Sequence, residues 1–111
     1  MKTIGNISAE AYQQHTVTLP ESEMTLTFRF FSRNQFWTFD IVHPDFTVNG
    51  VKISVGVRHL KSSGRPIDFI CQDASGNGLD PFRIDDFSSG RCVFGMLEET
   101  DVQSLALGDG I

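Results

Sequence analysis

The chain has 111 residues, 40% of them hydrophobic, with ten Phe, one Trp and a formal net charge of −5. That length holds one domain, and folding at this size buries about two-thirds of the unfolded surface, so neither a metal nor a disulfide framework is required. Of the fourteen acids, four (Glu98, Glu99, Asp101 and Asp109) follow Leu97, leaving ten against nine basic residues over 1–97. This near balance excludes a polyanion binder acting through bulk charge, and nucleic acid is not an expected partner.

Met1 to Val17 contains no apolar stretch of the kind a secretory leader carries. The longest apolar runs are strand-sized and interrupted by charges, so no membrane span or membrane partner is expected. Cys71 and Cys92 sit in apolar surroundings far apart in sequence, which predicts two buried, reduced thiols in a cytoplasmic environment.

Taken in chain order, the pattern has a period of two almost throughout. A short strand from Thr16 to Leu19 is followed by the Pro20-Glu21-Ser22-Glu23 connection. Met24 to Phe30 then alternates strictly, with Met24, Leu26, Phe28 and Phe30 on one face. Ser32 to Gln35 has the length of a hairpin connection. The next run sets Trp37, Phe39 and Ile41 against Phe36, Thr38 and Asp40. Two turn signatures follow, His43-Pro44-Asp45 and Asn49-Gly50, the second read as a hairpin turn into a third alternating run from Val51 to Val57.

Downstream, Ile67 to Gln72 is a short apolar run, residues 74–78 form a loop, and Arg91 to Leu97 is β-prone with Cys92, Phe94 and Met96 on one face. Gly95 on the other face marks a bulge or a close backbone approach. The whole reads as all-β: about six to seven antiparallel strands in a small, partly open barrel or a two-layer sandwich. Adjacent alternating strands that curl as one sheet favour the barrel. Residues 1–97 make the single domain, and 98–111 an acidic tail, mobile or a contact arm.

Candidates for chemistry are few. His15, His43 and His59 are scattered, and no Gly-x-Ser-x-Gly elbow is present, so no catalytic site is expected. Asp73-Ala74-Ser75-Gly76-Asn77-Gly78 resembles the start of a calcium loop. Its twelfth position is Ile84 where a bidentate Glu is needed, and a solvated loop without metal is the expectation. A local basic patch would require Arg29, Arg33, Arg58 and Lys61 to meet in space. Phe31 and Phe36 fall opposite their strands' main apolar sets and flank one turn, which makes them either a patch for a protein partner or part of a second covered face.

Several short motifs carry a resemblance when taken together. Phe36-Trp37-Thr38-Phe39-Asp40-Ile41 closes an aromatic hairpin. Asn49-Gly50 leads into Val55-Gly56-Val57-Arg58-His59-Leu60, and Gly64-Arg65-Pro66-Ile67 follows. Gly78-Leu79-Asp80-Pro81, an Asp-Phe turn, Gly90-Arg91 and a final strand complete the layout. Over roughly residues 2–97 this resembles the small baseplate plug proteins of contractile-tailed phages and related prophages.

The resemblance implies a structural component of the virion tail baseplate near the hub and spike, without enzymatic activity or cofactor. Its partners would be hub, spike or tail tube subunits. Phe31 and Phe36 are the first candidate contact residues, and Arg58 and Arg65 the others. The alternative is a small ligand-binding β-module for carbohydrate or single-stranded nucleic acid, against which the acidic balance and the lone Trp argue. A small hydrolase is the third class and has the weakest support.

Overall fold

The alternating runs Met24 to Phe30 and Phe36 to Ile41 become the two middle strands of a four-stranded sheet. The computed structural model describes residues 2–19, 22–60 and 67–97. Among them are seven strands: β1 (Lys2–Thr3), β2 (Tyr12–Thr18), β3 (Glu23–Phe31), β4 (Phe36–His43), β5 (Phe46–Lys52), β6 (Asp68–Asp73) and β7 (Cys92–Leu97). β2-β3-β4-β5 form an antiparallel meander, and β1-β7-β6 form a second sheet. Arg65 and the acidic segment 98–111 lie outside the described residues.

The two sheets share one core, filled largely with aromatic rings. Leu26, Phe28, Trp37, Phe39 and Ile41 from the meander are fully buried, as are Phe69, Cys71 and Met96 from the other sheet. Phe94 of β7 meets Phe28 at 5.4 Å and Phe39 at 5.1 Å, and Phe39 meets Phe69 at 5.4 Å. Edge-to-face pairs of this kind add about 0.5–1.5 kcal/mol each beyond the area they bury. Trp37 also donates its indole N–H to the Arg83 carbonyl at 3.0 Å, tying the meander to the long connection before β7.

The arrangement is a two-layer one, not a barrel, and the reason lies at Asn49-Gly50. This pair is not a turn between strands. The β4–β5 hairpin turns at Pro44-Asp45, and Asn49-Gly50 lies inside β5, where the register slips opposite Asp40. Gly50 takes a positive φ of 68°, and its N–H donates to Asp40 Oδ1 at 2.6 Å, the geometry of a bulge. The third run therefore leaves the sheet at Lys52. Ile53 N–H still reaches the Trp37 carbonyl at 2.9 Å, whereas Val55 already bridges Cys71 of β6. Residues 53–60 thus cross from one sheet to the other, and Val57 is left 47% exposed instead of facing the core.

Two further differences have local causes. β2 begins at Tyr12, four residues before the apolar signal, because its inward Gln13 is satisfied: its amide donates to the Ser8 and Glu10 carbonyls at 2.9 Å each. Gly95 makes no bulge. It lies in the middle strand of the smaller sheet, paired with Thr3 on one side and Ile70 on the other.

Candidate protein-contact surface

The outer face of the meander carries the feature most suited to recognition. Phe31 and Phe36 are the last pair of the β3–β4 ladder, brought opposite each other by the Ser32–Gln35 turn, in which Gln35 N–H donates to the Phe31 carbonyl at 2.7 Å. Their rings stack at 4.9 Å and 19°. Phe31 is 43% exposed.

One step along the sheet, register places Tyr12, Arg29, Thr38 and Lys52 in a row across all four strands. The row is knitted by charge. The Arg29 guanidinium lies 5.4 Å from the Tyr12 ring centroid and 3.5 Å from the Asp40 carboxylate, and the Lys52 ammonium lies 5.8 Å above the Phe36 ring. Arg29, Phe31, Phe36, Thr38, Asp40 and the Asn49-Gly50 bulge line a shallow cleft of about 490 Å³. Large exposed rings edged by both signs of charge are what a protein-contact patch presents. Tyr12, Asp40 and Lys52 were not singled out by sequence reasoning. Their places depend on strand pairing, which alternation alone does not give.

Arg58 is engaged elsewhere. Its Nε donates to Asp68 Oδ2 at 3.0 Å, while Oδ1 of the same carboxylate accepts the N–H groups of Leu60 at 2.6 Å and Phe69 at 2.7 Å. This carboxylate is almost wholly buried, so the pair clamps the crossing segment onto β6. Arg29 and Arg58 are each committed to a carboxylate on a different sheet, and Lys61 lies outside the described residues.

The histidines and the two cysteines are bound into the scaffold. His59 Nε2 accepts the Ser54 N–H at 3.0 Å and Nδ1 lies 2.7 Å from the Phe69 carbonyl, so both ring nitrogens are tied to backbone. His15 bonds Gln13 at 2.8 Å, and His43 accepts the Asp45 N–H at 3.0 Å while stacking on Phe46. Cys71 and Cys92 are free and buried, and the β6–β7 register sets them diagonally adjacent. Burial pushes both thiols up, and a hydrogen bond between them adds to the rise at Cys71.

The calcium-like segment is organised by a cation of the chain itself, an arrangement that sequence reasoning also missed. Arg91 donates to both oxygens of Asp86 at 2.9 Å and to the Leu79 and Asp80 carbonyls at 3.0 Å, and it lies 3.2 Å from Asp73. Asp73 meanwhile accepts the Ser75 N–H and the Leu79 N–H at 2.9 Å each. Among the described residues, no group of three His, Cys, Asp or Glu side chains is placed to hold a metal ion.

Fold and surface together define a small two-sheet β-domain with an aromatic, charge-edged outer face. The chain matches the family model of the cyanophage baseplate Pam3 plug gp18 over residues 1–99, and it belongs to that family. A comparison with curated proteins gave no match. Membership makes it a structural component of a phage tail baseplate, associated with other baseplate components.

Proposed function

We propose that this protein is a rigid filler near the hub and spike of the baseplate, held there by protein–protein contacts and catalysing nothing. The observation that carries this reading is the family match over residues 1–99, which spans all of the described residues. The stacked Phe31–Phe36 pair, with Phe31 exposed and Phe36 half-buried, supports it as the leading contact; Arg65 and Arg58, the latter already bound to Asp68, are secondary candidates. Hub, spike or tail tube subunits are the partners, and the acidic segment after Leu97 is a further candidate contact. Synthesis in the host cytoplasm agrees with two free, buried thiols.

The ligand-binding alternative shares the exposed rings. It is disfavoured because Phe31 and Phe36 stack on each other and Arg29 is paired with Asp40.

Purified particles should contain the protein in stoichiometric amounts. Deleting its gene should give defective tails and normal heads, and Phe31→Ser with Phe36→Ser should fold yet assemble poorly. Particles that lack the protein, or a deletion mutant with intact infectious tails, would refute the reading.

A further inference from the structure

Sheet edges are where a β-protein recruits or repels another strand, and natural edges are blunted with charge, proline, bulges or covering segments. Three of the four edges described here are blunted. β6 is covered by the crossing segment, through the Val55–Cys71 bridge and the N–H groups of Gly56 and His59 donating to Cys71 and Phe69. β1 is only two residues long. β5 is broken by its bulge opposite Asp40 and ends in Lys52.

Among the described residues, β2 has no such protection. Its seven residues, Tyr-Gln-Gln-His-Thr-Val-Thr, contain no Pro, Gly, Lys, Arg or acid, and its register with β3 runs unbroken from Tyr12 to Thr18. The bond from Phe30 N–H to the Ala11 carbonyl at 2.8 Å fixes the phase of the ladder. Gln13, His15 and Val17 exchange backbone bonds with β3, so the N–H and C=O groups of Tyr12, Gln14 and Thr16 point away from the sheet. These outward groups have no partner among the described residues.

The edge opens onto a notch rather than onto free surface. A cleft of about 440 Å³ is walled on one side by Gln14 to Thr18 and on the other by Thr3, Ile4, Gly5 and Asn6. A notch with two walls favours a single extended strand over a whole sheet as its occupant. A second copy would have to bring the rest of its own sheet, and its own residues 3–6, into the same notch. The lining is mostly amide and hydroxyl without charge, which suits an uncharged segment of alternating Ser, Thr, Asn or Gln and β-branched residues.

We infer that β2 is a strand-addition site, completed in the baseplate by an extended, uncharged polar segment of a neighbouring protein that pairs with Tyr12, Gln14 and Thr16. Main-chain bonds supply affinity in this mode, and the notch supplies selection. The inference rests on the baseplate reading above for the origin of its partner.

The test is Thr16→Pro, which removes an outward N–H without touching the β2–β3 ladder, an exchange that edge strands tolerate. Thr16→Val, which keeps the N–H, is the control. Each is supplied in trans to a phage lacking the gene, and the protein is quantified in purified tails. Thr16→Pro should melt close to wild type yet incorporate about tenfold less, with Thr16→Val at the wild-type level. Incorporation of Thr16→Pro at the wild-type level would overturn the inference, as would a solution dimer of the wild-type protein that Thr16→Pro dissolves. Should Thr16→Pro not fold, amide exchange of residues 12–16 decides: protection rising from free protein to assembled tails supports the site, and unchanged exchange overturns it. Absence of the wild-type protein from tails would instead refute the baseplate reading.

Discussion

Trp37 shows how one side chain holds two parts of the chain. Its ring is fully buried against Phe30 and Phe87 at 5.3 Å each, and its N–H is bonded to Arg83. Trp37→Ala should cost about 3–5 kcal/mol in denaturant unfolding, since it leaves a cavity and an orphaned carbonyl together. A loss below about 1 kcal/mol would mean that the 81–91 connection is held by Arg91 alone.

The two carboxylates beside Arg91, Asp73 and Asp86, set the response to acid. The Ser75 hydroxyl and the Leu79 N–H lower the Asp73 carboxyl from 3.8 to about 2. Burial opposes ionisation of Asp86, but the Arg91 guanidinium and the N–H groups of Arg83 and Phe82 prevail and hold it below the usual carboxylate range. Both values are depressed on folding. The stability they confer is therefore fully present above the unfolded value of 3.8 and is lost as pH falls towards 2. Thermal midpoints should stay level from neutral pH to about 5 and then drop. Asp73→Asn should begin lower at neutral pH and fall less steeply, meeting wild type near the acid end.

Among the elements, β5 is where local rules and tertiary context part. Asn-Gly serves a tight hairpin turn and a bulge for the same reason, a residue at positive φ, so sequence alone cannot separate them. A Cβ added at Gly50 would meet nothing within 4 Å, so any cost of Gly50→Ala is that of the backbone at φ 68°. That cost is about 1–2 kcal/mol, seen as a melting point lower by about 4–8 °C per kcal/mol. Alternation made β3 and β4 legible because each is buried on one face and open on the other. It also predicted the side on which Phe31 and Phe36 emerge. β2 was half hidden because Gln13 reads as a surface residue while being buried, and the Arg91 cluster was hidden because Asp73, Leu79, Asp80 and Asp86 converge only in space.

At the scale of the molecule, the described apolar residues are divided between an aromatic core shared by both sheets and a smaller set left outside, including Tyr12, Phe31, Leu79 and Phe82. A free-living domain gains little from leaving such side chains in water, whereas a subunit docked among neighbours buries them and is stabilised by each partner that binds its folded form. The protein should therefore melt at a higher temperature within tails than alone, which differential scanning of purified tails against the isolated protein would measure.

The place of β7 has a consequence for how the chain acquires its shape. β7 is the last described strand in sequence and yet the middle one of its sheet, between β1 from the beginning of the chain and β6. The meander needs only neighbours joined by short turns, so it can assemble while synthesis continues. The second sheet must wait until residues 92–97 leave the ribosome, because among the described residues neither β1 nor β6 has another partner strand in it. Closing the β1–β7 pair spans nearly the whole described sequence, which is the kind of contact that slows folding. In pulse-labelled refolding, the amides of β3 and β4 should be protected first and those of β6 and β7 last. A nascent chain stopped before Cys92 should hold the meander with one face bare, the state most exposed to aggregation on the path to the finished protein.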